Sequence, residues 1–185
     1  MLSNLSKITL YANYFILIII FVMKTKETKK IALELVSKSE SASLYTIVFE
    51  NDNVSEFAKF MLNFKDCAHL KRDYQIILLA LQKILQNGVL ERYFRPEGKF
   101  SDSVCALPIS SGKLRLYCLR LTDKILIIGN GGIKDTKTYN EDANLSGYVV
   151  DLQRFDAIIK DSIKEGLISI EETAIVGAEN KYFDL

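Results

Sequence analysis

The stretch Lys113 to Tyr139, KLRLYCLRLTDKILIIGNGGIKDTKTY, decides the fold. Lys113, Arg115, Tyr117 and Leu119 alternate with Leu114, Leu116, Cys118 and Arg120, so a strand here sends one set to each face of a sheet. One face is apolar from its start; the other opens with two cations. Thr122-Asp123 breaks the run and Lys124 to Ile128 resumes it, which is the pattern of a β-hairpin. Gly129-Asn130-Gly131-Gly132 is read as the end of the second strand, with Lys134, Lys137 and Tyr139 just beyond it.

Working outward, Leu44 to Phe49 is β-branched and aromatic between polar flanks, which predicts a strand. Asn53 with Glu56 three residues later matches a capping box, and Val54, Phe57, Ala58, Phe60, Met61 and Phe64 follow at helical spacing. A second helix is expected from about Leu70 to Asn87, with Tyr74, Ile77, Leu78, Leu81, Ile84 and Leu85 inward and Gly88 ending it. Residues 89–99 form a connector interrupted by Pro96 and Gly98, and Phe100 to Ile109 a further strand. Leu152, Phe155, Ile158, Ile159 and Ile163 mark a last helix ending at Gly166, and the acidic remainder reads as a strand addition, a flexible tail or an interaction segment.

The 185 residues suit one main domain with terminal extras. Residues 1–22 are an apolar leader, 23–43 a polar extension, 44–165 the folded domain and 166–185 an acidic tail. The uncharged run starting at Ile8 is only about 16 residues, roughly 24 Å as a helix, short of the ~30 Å hydrocarbon core. It reads as an over-extended start before Met23, as an anchor or as a buried helix. Three cysteines without metal-ligand spacing fit a reduced, cytoplasmic setting, and the single histidine, His69, excludes a histidine-based zinc site or a Ser-His-Asp triad. The net charge of +1 conceals an asymmetry: residues 92–139 hold nine Lys/Arg against four Asp/Glu, and residues 140–185 four against ten. Arg92, Arg95 and Lys99 interleave with Tyr93, Phe94 and Phe100, a mixture that suits RNA and equally a loop with snorkelling side chains.

The order of strand, two helices, three close strands and a short helix over residues 44–164 resembles the RelE/ParE/HigB superfamily of bacterial toxins. The sharpest part of the resemblance is SSGKLRLYCLRLTDKILIIGNGGIKDTKTY. It implies an α+β fold: a small twisted antiparallel sheet, two N-terminal helices on one face and a short C-terminal helix. It also implies a ribosome-associated mRNA endoribonuclease of a type II toxin-antitoxin system, using 2′-hydroxyl attack without metal or cofactor. Its partners would be the ribosome, mRNA and an antitoxin from a neighbouring gene. By resemblance Arg115, Lys134 and Tyr139 are the catalytic candidates, and Arg92, Arg95, Lys99, Lys113 and Lys137 the RNA-binding ones. The chain departs from the family on the strand Val104-Cys105-Ala106-Leu107-Pro108, which carries no cation. That departure and the near-zero net charge favour an alternative, a ParE-like, non-nucleolytic inhibitor of a protein target such as gyrase; a third reading is a non-toxic interaction module with the acidic tail in the basic cleft.

Overall fold

A computed structural model describes residues 29–97, 103–107, 112–135 and 142–185. The chain opens with a β-hairpin, β1 (Lys30–Lys38) and β2 (Ser43–Phe49), and continues into α1 (Glu56–Phe64) and α2 (Lys71–Asn87). β3 (Arg95–Pro96), β4 (Val104–Leu107), β5 (Leu114–Arg120) and β6 (Ile125–Ile133) follow. α3 (Ala143–Lys164) comes next, then the short hairpin β7 (Ser169–Glu171) and β8 (Ala174–Val176), and β9 (Phe183–Asp184).

The fold is α+β with a mostly antiparallel sheet of seven strands in the order β3-β4-β5-β6-β2-β1-β9. One junction differs. β2 lies parallel to β6, with Ser43 to Thr46 alongside Ile125 to Ile128. Within the polar segment ahead of Leu44, Lys30–Lys38 forms a strand of the sheet paired with β2, so a hairpin precedes the two helices.

Alternation decides which helix covers which face. Leu114, Leu116, Cys118, Leu126 and Ile128 pack with Phe60 of α1 and with Tyr74, Ile77, Leu81 and Ile84 of α2. Tyr117, Leu119, Ile125 and Ile127 pack with Leu145, Val149, Leu152, Phe155 and Ile159 of α3. Both faces of the central strands are thus buried, which explains why β4 and the middle of β5 are apolar without a break. The expected short C-terminal helix is instead 22 residues long, and it packs on Tyr117 and Leu119, the same face of the strand that opens with Lys113 and Arg115. Asp142 caps its start by accepting from the Asn144 and Leu145 amides, and Leu145, Val149 and Leu152 continue the buried stripe at helical spacing.

The acidic C-terminal residues also find fixed places. Ile168, Ile175 and Phe183 join the core under α3, and β9 pairs with Lys30 and Ile31 at the sheet edge. Three strands separate β9 from β5, so the tail lies on the order of 19 Å from the Arg115 strand at ~4.8 Å per strand, not in a basic cleft. No helix among the described residues is long and apolar enough to cross a membrane; the apolar leader at 1–22 lies outside them.

Candidate functional site

The parallel pairing of β2 and β6 ends at Thr46 and Ile128. Beyond that point β2 continues with β1 to Phe49, while β6 continues with β5 to Ile133. The sheet splits there. The helix after β2 lies on one face and the helix after β6 on the other, the arrangement that opens a crevice at the carboxyl ends of adjacent parallel strands. A cavity of about 680 Å³ occupies this position, lined from β1, β2, α1, β6 and α3.

Each lining side chain is there for a local reason. Between Leu116 and Cys118 of β5, β6 carries one extra residue, so Gly129 and Asn130 together face Tyr117. This bulge re-aims Asn130. The glycine run that reads as a strand end is a bulge inside the strand. Asn130 is buried, accepts from the Gly131 amide with its own Oδ1, and donates from Nδ2 to Glu56 Oε2 at 2.8 Å. Glu56 owes its place to Ser55, which caps α1 by accepting from the Ala58 amide; the cap is Ser55 rather than Asn53, and Glu56 faces the crevice. Its other oxygen takes the Lys59 ammonium, which also bonds Asp52. Across the crevice Lys29 bonds Asp151 of α3 at 3.0 Å. The ammonium groups of Lys29 and Lys59 both lie over the Phe49 ring, 5.4 and 5.6 Å from its centre.

Thr46 ties the fork together. Fully buried, it donates to the Ile128 carbonyl at 2.8 Å and accepts from the Phe57 amide at 3.2 Å, joining β2, β6 and the first turn of α1. Thr46→Val keeps the shape and removes both bonds, leaving a buried donor without its acceptor. Chemical denaturation should show a loss of about 1–2 kcal/mol; an unchanged midpoint would mean the hydroxyl does not hold the helix.

Two crevice groups keep their protons unusually well. Burial works to lower the Lys59 pKa, but hydrogen bonds and charge from Asp52 and Glu56 outweigh it and hold the ammonium above its ordinary 10.5. Burial, with the Glu56 and Asp142 charges and against that of Lys59, raises Tyr148 above its ordinary 10.0. Tyr148 is therefore a neutral hydroxyl, and it has no hydrogen-bond partner among the described residues. Both folded values lie above the unfolded ones, so this stabilisation is full below the ordinary values and is lost as pH rises through the folded ones. A Lys59→Met, Tyr148→Phe chain should lose melting temperature less steeply than the parent from about pH 9 to about pH 11. Tyr74 and Cys118, also raised by burial, keep the same slope in both chains. Equal slopes would refute the assignment.

The residues singled out in the sequence divide into two places. Lys113, Arg115 and Lys134 meet at the open end of the β5–β6 hairpin: Arg115 faces Gly132, and the Lys134 amide bonds the Lys113 carbonyl. Arg115 is not extended. Its Nη1 donates to the Gly112 and Leu114 carbonyls, both at 2.9 Å, while Lys113 bridges to Asp135 at 2.7 Å. Arg92 stacks on Tyr93 near the far end of β5, beside Glu91, which pairs with Arg120. Five residues of strand, about 16 Å, separate Arg120 from Arg115. Arg95 sits on the edge strand β3 with its Nε 4.0 Å from Glu97. Lys99, Lys137 and Tyr139 lie outside the described residues. Sequence reasoning missed Glu56, Asn130, Tyr148 and Asp151. The available signals were an acidic residue inside the apolar run VVDL and an asparagine between glycines.

Comparison with family models, with curated proteins and with solved structures gives no match. The geometry of the split sheet therefore carries the functional reading. No group of three or more His, Cys, Asp or Glu among the described residues is arranged to hold a metal ion.

Proposed function

We propose that the protein binds a small polar molecule in the crevice between β2 and β6. One observation carries this reading: the sheet splits, and the gap is lined by buried polar groups, Glu56, Asn130 and Asp151, where apolar side chains would close it. Burying such groups costs free energy unless each is bonded, and here each is held by a lysine or an amide. The cavity volume lies in the range typical of small-molecule sites. The lining carboxylates and amides are acceptors and donors fixed in direction, which is the property a binding site needs.

A second reading, the RelE/HigB-like mRNA nuclease with a neighbouring antitoxin in the cytoplasm, is supported by the convergence of Lys113, Arg115 and Lys134 on one hairpin end. The helix-covered sheet faces and the hairpin ahead of α1 count against its RelE-like arrangement, and they leave the ParE-like alternative no better placed.

One experiment separates the readings. Amide-detected NMR of the chain would be recorded with acetate, inorganic phosphate, methylammonium, alanine and glucose, and separately with a single-stranded RNA oligonucleotide. The crevice reading predicts small-molecule shifts at Phe49, Asn130 and Tyr148. Shifts produced by RNA alone and confined to Lys113, Arg115 and Lys134 would replace it with the RNA reading. Primer extension on RNA from expressing cells, with Arg115→Ala as the control, would then test cleavage.

A further inference from the structure

From the charge pattern of the crevice we infer that its ligand is a small zwitterion, carrying an ammonium and a carboxylate separated by a short apolar segment. This rests on the crevice being the binding site. Three lysines and four carboxylates line the cavity, so neither sign prevails. They alternate rather than segregate: Lys59 lies between Asp52 and Glu56 on one wall, and Lys29 against Asp151 on the other. A ligand of one charge would meet an attractive group and a repulsive one at each wall, whereas a ligand of both signs can satisfy both.

The lining also offers one apolar surface, the Phe49 ring. The Phe49 ring is within reach of both lysines, whose ammonium nitrogens stand at most 11.0 Å apart because each is within 5.4 or 5.6 Å of the ring centre. A short methylene segment on this ring would bring a carboxylate to Lys29 and an ammonium to the partly exposed Asp52. Two donors remain for the carboxylate end. The Tyr148 hydroxyl is one, and the second hydrogen of the Asn130 amide is the other, since Glu56 takes only the first.

A matched series tests the charge requirement: 6-aminohexanoate, hexanoate and hexylammonium share a chain and differ only in their ends. Binding would be followed by the Asn130 side-chain amide and Tyr148 signals. 6-Aminohexanoate is expected to bind about tenfold more tightly than either analogue, the factor that ~1.4 kcal/mol of charge complementarity gives. Lys29→Gln should remove the advantage over hexylammonium, and Asp52→Asn the advantage over hexanoate, with the native amide spectrum as evidence of folding. Equal binding by hexanoate or hexylammonium would overturn the zwitterion while leaving the crevice as a site. Silence from all three and from alanine, with acetate, phosphate, methylammonium or glucose still shifting the crevice, would likewise overturn the zwitterion alone. Silence in both experiments would remove the crevice reading as well.

Discussion

A Gly131→Ala chain should melt about 6–12 °C below the parent, a loss of about 3 kcal/mol or more. Gly131 follows the β6 bulge and lies opposite Leu116, where the two backbones approach closely. A Cβ built there would overlap the Arg115 carbonyl and sit 3.0 Å from Leu116 Cα. Those neighbours are backbone, so no rotamer change can relieve the overlap. The strands would have to separate, and the bulge that aims Asn130 would go with them. Gly132→Ala meets only the end of the Leu145 side chain, at 2.9 Å, and should cost clearly less. Thermal unfolding of the two variants checks the ranking. Equal midpoints would mean that β5 and β6 do not approach as described.

Glu56→Ala should lose about 2–3 kcal/mol and abolish the small-molecule response of the crevice. The carboxylate is buried and serves two partners, the Asn130 amide and the Lys59 ammonium. Removing it leaves the Asn130 donor buried without an acceptor. Lys59 fares better, because it keeps Asp52 and remains a third exposed, so the loss stays below that of stranding a fully buried charge. Glu56→Gln keeps the shape and an acceptor oxygen, and should retain the melting midpoint to within about 1 kcal/mol while weakening ligand binding. Urea unfolding with parallel NMR titration separates the two effects. If Glu56→Ala binds small molecules like the parent, the carboxylate does not organise the site.

The local parts of this fold were legible because they rest on patterns that short segments carry alone. The period-two alternation about Tyr117, the helical stripe from Tyr74 to Ile84 and the stop at Gly88, whose φ is +88°, are of this kind. What the sequence concealed was non-local. β1 reads weakly because it is short of buried residues: Ile31 alone is fully buried, Leu35 on the same face is exposed, and a bulge at Val36 ends the alternation. Its strand form depends on β2 beside it. The parallel contact of β2 with β6 joins segments some eighty residues apart, and nothing within either segment specifies it.

The site was obscured for a related reason. Glu56 follows an ordinary helix cap, and its burial becomes visible only once Asn130 from another element is placed against it. Arg115 shows the converse. Its strand position suggested a cation aimed at substrate, whereas the guanidinium folds back onto the carbonyls of Gly112 and Leu114. Alternation predicts a side chain's face but not whether nearby backbone acceptors will capture it.

The most direct test of the account is the Asn130 side-chain amide itself, observed by NMR in the parent and in Glu56→Gln during titration with 6-aminohexanoate. In the free parent one of the two Nδ2 protons is expected well downfield of its ordinary position because of its bond to Glu56. Saturable movement on titration, weakened in Glu56→Gln, is also expected. An Asn130 amide with solvent-like shifts, exchanging freely with water and unmoved by 6-aminohexanoate and by acetate, phosphate, methylammonium, alanine and glucose alike, would contradict the crevice as the working site of this protein.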